Sequence, residues 1–249
     1  MKPTASVPAI LLFLSTAAPA PAADESPRAI IERAIKAHGG QERLEKLKTD
    51  RVSLKGTMLV NDNKAEFTAE TTVNMPSQFR NVVELKFDTS TRKVVQILNG
   101  DKAIVTVDGQ PVENIPASSV VEMREILRLE RATRLTALLS DKSFELAALG
   151  ESKVKEQPVV GVKVSSKKYA DLKMYFDKES GLLVKTEHEL AEGKQKVTQE
   201  EFYSDFKEIE GYKRPTKLVV FRAGKKLMDA DLVDVKYLDK VDETVFTKP

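Results

Sequence analysis

The chain has 249 residues, no cysteine and no tryptophan, and 40 Lys and Arg against 38 Asp and Glu. So even a balance offers no net basic face for phosphate and argues against a nucleic-acid partner. The lack of thiols excludes a disulfide framework, a thiol nucleophile and a lipid-modified N-terminal cysteine, so burial alone must hold one sizeable core together.

The first residues have the order of a cleavable secretory signal. Met1-Lys2 supplies the charged start, Val7 to Ala18 the apolar middle, and Ala20-Pro21-Ala22 the small-residue cut site. Residues 1–22 are therefore expected to be a signal peptide, and 23–249 a single soluble domain exported to a bacterial periplasm. An uncleaved anchor is the other reading. The apolar run is shorter than the ~20 residues that cross a bilayer, however, and Pro8 interrupts it.

A first helix follows, with Ser26 as cap, Pro27 at the first position and an Ile30, Ile31, Ala34, Ile35 stripe ending at Gly39-Gly40. A short second helix is predicted from Gln41 to Lys48. After Thr49 the apolar period becomes two: Val52, Leu54, Met58 and Val60 share one strand face, and Phe67, Ala69, Thr71, Val73 and Met75 continue after the Asn61-Asp62-Asn63 turn. Further strands are predicted over 79–87, 93–98 and 103–107, giving a five-stranded meander. Ser118 to Ser140 reads as helix, capped by Ser118 or Ser119 and broken near Leu129 to Ala132. Its Arg124, Arg128, Arg131 and Arg134 interleave with Glu122, Glu125 and Glu130, which favours a solvated face over a phosphate or headgroup site. Seven more strands run from Phe144 to Tyr237. In total, about eleven to twelve strands with short connections predict a mainly β fold. The expected form is a curved antiparallel sheet or incomplete β-barrel whose open side the helices cover as a lid.

Chemistry-bearing residues are sparse. His38, at a helix end, is expected to bond the last carbonyls. His188, between Glu187 and Glu189, is expected to face solvent on a strand. Asp229 and Asp231 share a strand face but are too few for a calcium cage. With no phosphate loop, nucleophile elbow or paired-acid signature in view, no catalytic residue, metal or cofactor is assigned.

Several segments resemble the periplasmic lipoprotein carriers of the LolA type and their LolA/LolB-like relatives. They are the helix ending Ala37-His38-Gly39-Gly40, the run from Met174 to Lys185 containing FDKESGLLVK, the run from Phe202 to Pro215 containing YSDFKEIEGYKRP, and the closing Val245-Phe246. The resemblance implies an unclosed barrel that binds the acyl chains of a lipoprotein or lipid cargo. It also implies a releasing transporter in the inner membrane, an acceptor at the outer membrane and no catalysis. The soluble-carrier branch fits, since the anchored acceptor branch carries a lipidated cysteine. The chain is expected to be a monomer. A scaffold or sensor domain with a filled interior is the alternative. Behind it stands a lipid-modifying hydrolase, which carboxylates clustered at a pocket floor would favour.

Ligand contacts are expected on the apolar face of the first three strands and on the lid, at Leu54, Met58, Phe67, Val73, Val83, Leu85, Met123 and Leu127. Alternation groups the strand residues by face, and Met123 and Leu127, four apart, form one helical ridge.

Overall fold

The computed structural model describes residues 25–167, 169–192 and 195–249, so the expected signal peptide lies outside the described residues. Helix α1 (Pro27–Ala37) starts as its sequence requires: the Ser26 hydroxyl accepts from the Ala29 N–H at 3.2 Å, and Pro27 occupies the first turn. Its four apolar stripe residues are all buried. Helix α2 (Gln41–Lys46) follows the Gly39-Gly40 reversal.

Among the described residues, thirteen antiparallel strands then form one sheet. The first six are β1 (Thr49–Val60), β2 (Asn63–Asn74), β3 (Gln78–Lys86), β4 (Thr91–Asn99), β5 (Lys102–Val107) and β6 (Gln110–Pro111). Helices α3 (Ala117–Thr133) and α4 (Thr136–Ser140) intervene. The rest are β7 (Glu145–Val154), β8 (Gln157–Ser166), β9 (Tyr169–Asp177), β10 (Leu183–Glu192), β11 (Gln195–Ile209), β12 (Tyr212–Arg222) and β13 (Lys225–Tyr237). The count exceeds the expected eleven to twelve because the two-residue β6, after the Asp108-Gly109 turn, is too short to show a period.

The sheet order is β6-β5-β4-β3-β2-β1-β13-β12-β11-β10-β9-β8-β7. Every neighbour is sequential except β1 beside β13, so two meanders are joined through the first and last strands. This order positions the helices. The edge strands β6 and β7 are consecutive in the chain, and the segment linking them, α3 and α4, must pass from one edge to the other across the open side of the curved, unclosed sheet.

Register then decides what faces those helices. Leu54 pairs with Ala69, and Ala69 with Val83, while Phe67 pairs with Leu85. On the other side of β1, Leu54 pairs with Leu232 and Met58 with Met228. Directly paired residues point to one side, so the apolar sets of β1, β2, β3 and β13 share the concave face. A bulge between Ser53 and Leu54 bends the sheet at the junction of the meanders. Gly56 fits the same junction: a β-carbon there would stand 2.0 Å from the Asp229 carbonyl oxygen and 2.8 Å from the Ala230 Cα, both backbone atoms. Gly56→Ala should therefore cost about 1–3 kcal/mol, read as a lower urea midpoint at unchanged slope. An unshifted midpoint would mean that β1 and β13 separate at no cost.

The largest core cluster lies where α1 and α4 cover β8 and β9, with Ile31, Leu135, Val162, Leu172, Met174 and Phe176 fully enclosed. On the convex side a 3-10 turn at Glu243–Phe246 drives Phe246 against Val95 and Ile97. The long helical segment departs from expectation at both ends of α3. Pro116, not Ser118 or Ser119, holds the cap position, and its carbonyl accepts from Ser119 N at 3.0 Å. The break falls at Arg134-Leu135, where Leu135 takes a φ of +66° and turns its buried side chain into the α1 cluster.

Candidate functional site

Between α3 and the concave face lies a cavity of about 320 Å³, floored by Met58, Phe67, Val83, Val220 and Met228 and roofed by Ile126 and Leu129. A second cavity of about 210 Å³ adjoins it and runs toward Asp50, Arg214 and His38. Leu54, Thr71, Leu129, Glu130, Glu201 and Leu218 belong to both walls.

Of the eight residues expected to contact a ligand, Leu54, Met58, Phe67 and Val83 line the larger cavity, and Val73 lines the smaller with Leu54. Leu85 packs beside them in the cluster with Ala65 and Phe67. Met123 has no exposed surface and packs with Val73, Phe79 and Leu98. Leu127 borders a separate cavity of about 230 Å³ on the flank of α3, beside Arg124, Arg128 and Arg131. The face of α3 toward the main cavity is therefore Glu122, Glu125, Ile126, Leu129 and Glu130, turned from the Met123 ridge.

The polar residues of this cavity were not legible as a group. His188, expected in solvent, is only 3% exposed. Strand β10 is interior to the sheet, and alternation sends Thr186, His188 and Leu190 to the concave side. Glu187 and Glu189 go to the convex side, where they meet Lys173 at 2.7 Å and Lys196 at 3.1 Å. Both ring nitrogens of His188 lack a hydrogen-bond partner among the described residues, and burial pushes its pKa down. The neighbouring strand β11 carries Glu201 on the same concave face, and its carboxylate accepts from the Tyr203 phenol at 2.7 Å and the Gln199 amide at 2.9 Å. Burial and the nearby Glu201 push the Tyr203 phenol well up, so it stays a donor.

Two of the four arginines depart from the expected solvated face, and two keep to it. Arg124 and Arg131 form outer pairs with Asp101 at 3.0 Å and Asp141 at 2.5 Å. Arg128 is buried, forked onto Glu125 and stacked over the Tyr169 ring at 5.1 Å. Arg134 is buried too, donating to Asp50 at 2.6 Å and to the Leu47 carbonyl at 2.8 Å. Arg214 meets the other oxygen of Asp50, so one carboxylate of β1 ties the end of α3 to β12. Part of a helix that crosses a concave sheet faces the sheet, and charge interleaving alone did not show that Arg128 and Arg134 fall on that part.

His38 does what its position predicts. Its Nδ1 lies 2.9 Å from the Ala34 carbonyl and donates to it, leaving Nε2 to accept from Leu183 N–H at 3.4 Å. Burial lowers its pKa. Asp229 and Asp231 share a face, and Lys217 holds both at 2.8 and 3.2 Å. Among the described residues no group of three or more His, Asp and Glu side chains is gathered for a metal.

These shifts set a pH response. An unfolded histidine titrates near 6.5, whereas buried His38 and His188 resist protonation. As pH falls through that value the unfolded chain gains protons that the folded chain refuses, so stability drops. Glu130 works in the opposite sense. Burial, then the charge of Asp50, raises its pKa above the usual 4.5, so ionising it costs the folded state more than the unfolded one and stability falls as pH rises through this range. His188→Gln should flatten the loss of Tm between pH 7 and 5.5, and Glu130→Gln should raise Tm at pH 7. A Tm profile unchanged in both variants would contradict these assignments.

The geometry invites comparison with known folds. No protein-family profile matches the chain, and no curated protein sequence is significantly similar to it. Solved structures do match. A LolA superfamily protein from Nitrosomonas europaea superposes with a TM-score of 0.57 at 13% identity, over 90% of this chain and 98% of that one. This chain has the LolA-like fold. A DUF1329 family protein from Desulfovibrio piger gives a TM-score of 0.55 at 11% identity, over 89% and 98% of the two chains. An outer-membrane lipoprotein-sorting protein domain from Vibrio parahaemolyticus gives 0.51 at 9%, over 88% and 95%. At these identities the likeness is one of architecture, and it matches the sheet and helical cover that the LolA-like segments implied. None of the described helices is long and apolar enough to cross a membrane.

Proposed function

We propose that this LolA-like chain is an exported carrier that holds an acyl chain of a lipid or lipoprotein in the cavity under α3 and passes it on within the bacterial envelope. The observation that carries this reading is the void itself: about 320 Å³ with a floor of Leu, Met, Phe and Val, beneath a helix. Small-molecule sites begin at about 300 Å³. A filled two-layer core, as a scaffold or sensor domain would have, leaves no such space. Each buried methylene is worth about 0.8 kcal/mol, so a long chain contributes roughly 10 kcal/mol before the costs of ordering. Residues 1–22 would direct export, and a lipoprotein-releasing transporter and an outer-membrane acceptor would be the partners in sorting. The test is extraction of the purified protein into organic solvent together with uptake of a fluorescent lipid. Co-purified lipid and saturable uptake are expected; a chain that yields no lipid and takes up none is not a carrier.

One observation favours a second reading. Glu130 and Glu201 stand on facing walls of the cavity, and a carboxylate pair could serve a lipid-modifying hydrolase. Release of free acid from a bound acyl ester, lost in Glu201→Gln, would establish it.

A further inference from the structure

We propose that the larger cavity selects amphiphiles with an ammonium head and turns away those with an anionic one. This inference rests on the acyl-chain reading and adds the head group.

The cavity wall holds four carboxylates, Glu122, Glu125, Glu130 and Glu201, against one guanidinium, Arg222. Two of the four are already answered: Arg128 grips Glu125 from behind, and Arg222 stands 3.7 Å from the half-exposed Glu122. Glu130 and Glu201 form no direct ion pair among the described residues, Arg134 and Arg214 acting on Glu130 only through space, and both carboxylates lie where the two cavities join. Glu201 takes only neutral donors, Tyr203 and Gln199.

His188 is the independent sign that something polar is missing. It lines the same cavity at 3% exposure with both ring nitrogens unpartnered, an arrangement that costs stability unless a ligand completes it. A neutral imidazole offers one lone pair and one N–H. An ammonium group has three N–H donors, and the cavity offers three acceptors for them, Glu130 from the helix and Glu201 and the imidazole nitrogen from the sheet. A carboxylate or phosphate head would instead bring like charge up to Glu130 and Glu201 and be repelled. The apolar end, with Met58, Phe67, Val83 and Met228, is left for the chain.

The test is calorimetric titration of the purified protein at pH 7 with dodecylammonium, dodecanol and dodecanoate. Dodecylammonium should bind at least about tenfold tighter than dodecanol, and dodecanoate weaker than either. The Glu130→Gln, Glu201→Gln double variant should lose the ammonium advantage while its affinity for dodecanol stays within about twofold. Glu201→Gln alone keeps an acceptor for Tyr203 and should show most of the loss if the double variant folds poorly. Dodecanoate binding as well as dodecylammonium, or an ammonium preference that survives the substitutions, overturns the proposal. If dodecanol binds and the head makes no difference, only the head-group inference falls; if none of the three binds, the acyl-chain reading falls with it.

Discussion

Replacing Asp50 by alanine should destabilise the protein by about 3–5 kcal/mol, the loss seen when one partner of a buried charge network is removed. Asp50 is 1% exposed, and its two oxygens receive the guanidinium groups of Arg134 and Arg214. Without it, Arg134 keeps only the Leu47 carbonyl, and Arg214 keeps the Tyr237 hydroxyl at 3.1 Å. Two guanidiniums would then share a space with no carboxylate bonded to either, only Glu130 acting through space, and they cannot shed their protons to escape. The loss has a place as well as a size. Arg134 sits at the break between α3 and α4, so its release should free the end of the helix that roofs the cavity. Urea unfolding should show the lower midpoint, and hydrogen exchange should speed at the C-terminal turns of α3 before the rest of the molecule. Asp50→Asn, which keeps the shape, should lose less. A change below about 1 kcal/mol in the alanine variant would mean that water already reaches this network.

Ile126→Asp and Met58→Asp should abolish dodecanol binding, by about a hundredfold or more, while the fold is retained. Ile126 projects from the roof and Met58 from the floor of the larger cavity, and both are only partly buried because they face that void. A carboxylate at either position can keep hydration when the cavity is empty and must lose it when a chain enters, so the cost falls on binding. Lys55→Asp is the control. Lys55 is the next residue along β1 from Leu54, on the opposite face, exposed and paired with Thr68 across the strand. Its substitution should leave binding unchanged. Met123→Asp separates the two ridges of α3: Met123 has no exposed surface and no cavity beside it, so an aspartate there should unfold the lid by several kcal/mol. Circular dichroism and titration of all four variants check this. Equal dodecanol affinity in folded Ile126→Asp and Lys55→Asp proteins would remove the cavity from the account.

The contrast between these variants also marks how far the sequence carried. Strands β1 to β5 were legible because apolar residues alternate along them between short turn signals, which groups Leu54 with Met58, Phe67 with Val73 and Val83 with Leu85, while the register that gives them one side came only with the structure. The first helix was legible from Ser26, Pro27 and the glycines after His38, all of them local signals. What escaped is what depends on two elements meeting. His188 and Glu201 look like strand residues bound for solvent until α3 is laid over β10 and β11. Arg128 and Arg134 look like a helix surface until Glu125 and Asp50 are brought to them. The orientation of α3 about its axis was ambiguous in the same way, since its apolar residues surround it; only the sheet beneath decides that Ile126 and not Met123 meets the void.

The central claim, that an acyl chain lies between α3 and the sheet, is tested most directly by the methionine methyl resonances in the presence of a spin-labelled dodecyl alcohol. Met58 and Met228 line the larger cavity, whereas Met174 is sealed in the α1 cluster at the other end of the sheet. The account predicts strong paramagnetic broadening of Met58 and Met228, none of Met174, and reversal when unlabelled dodecanol is added. Broadening of Met174 with Met58 and Met228 unaffected, or uniform weak broadening that unlabelled dodecanol does not relieve, would contradict it.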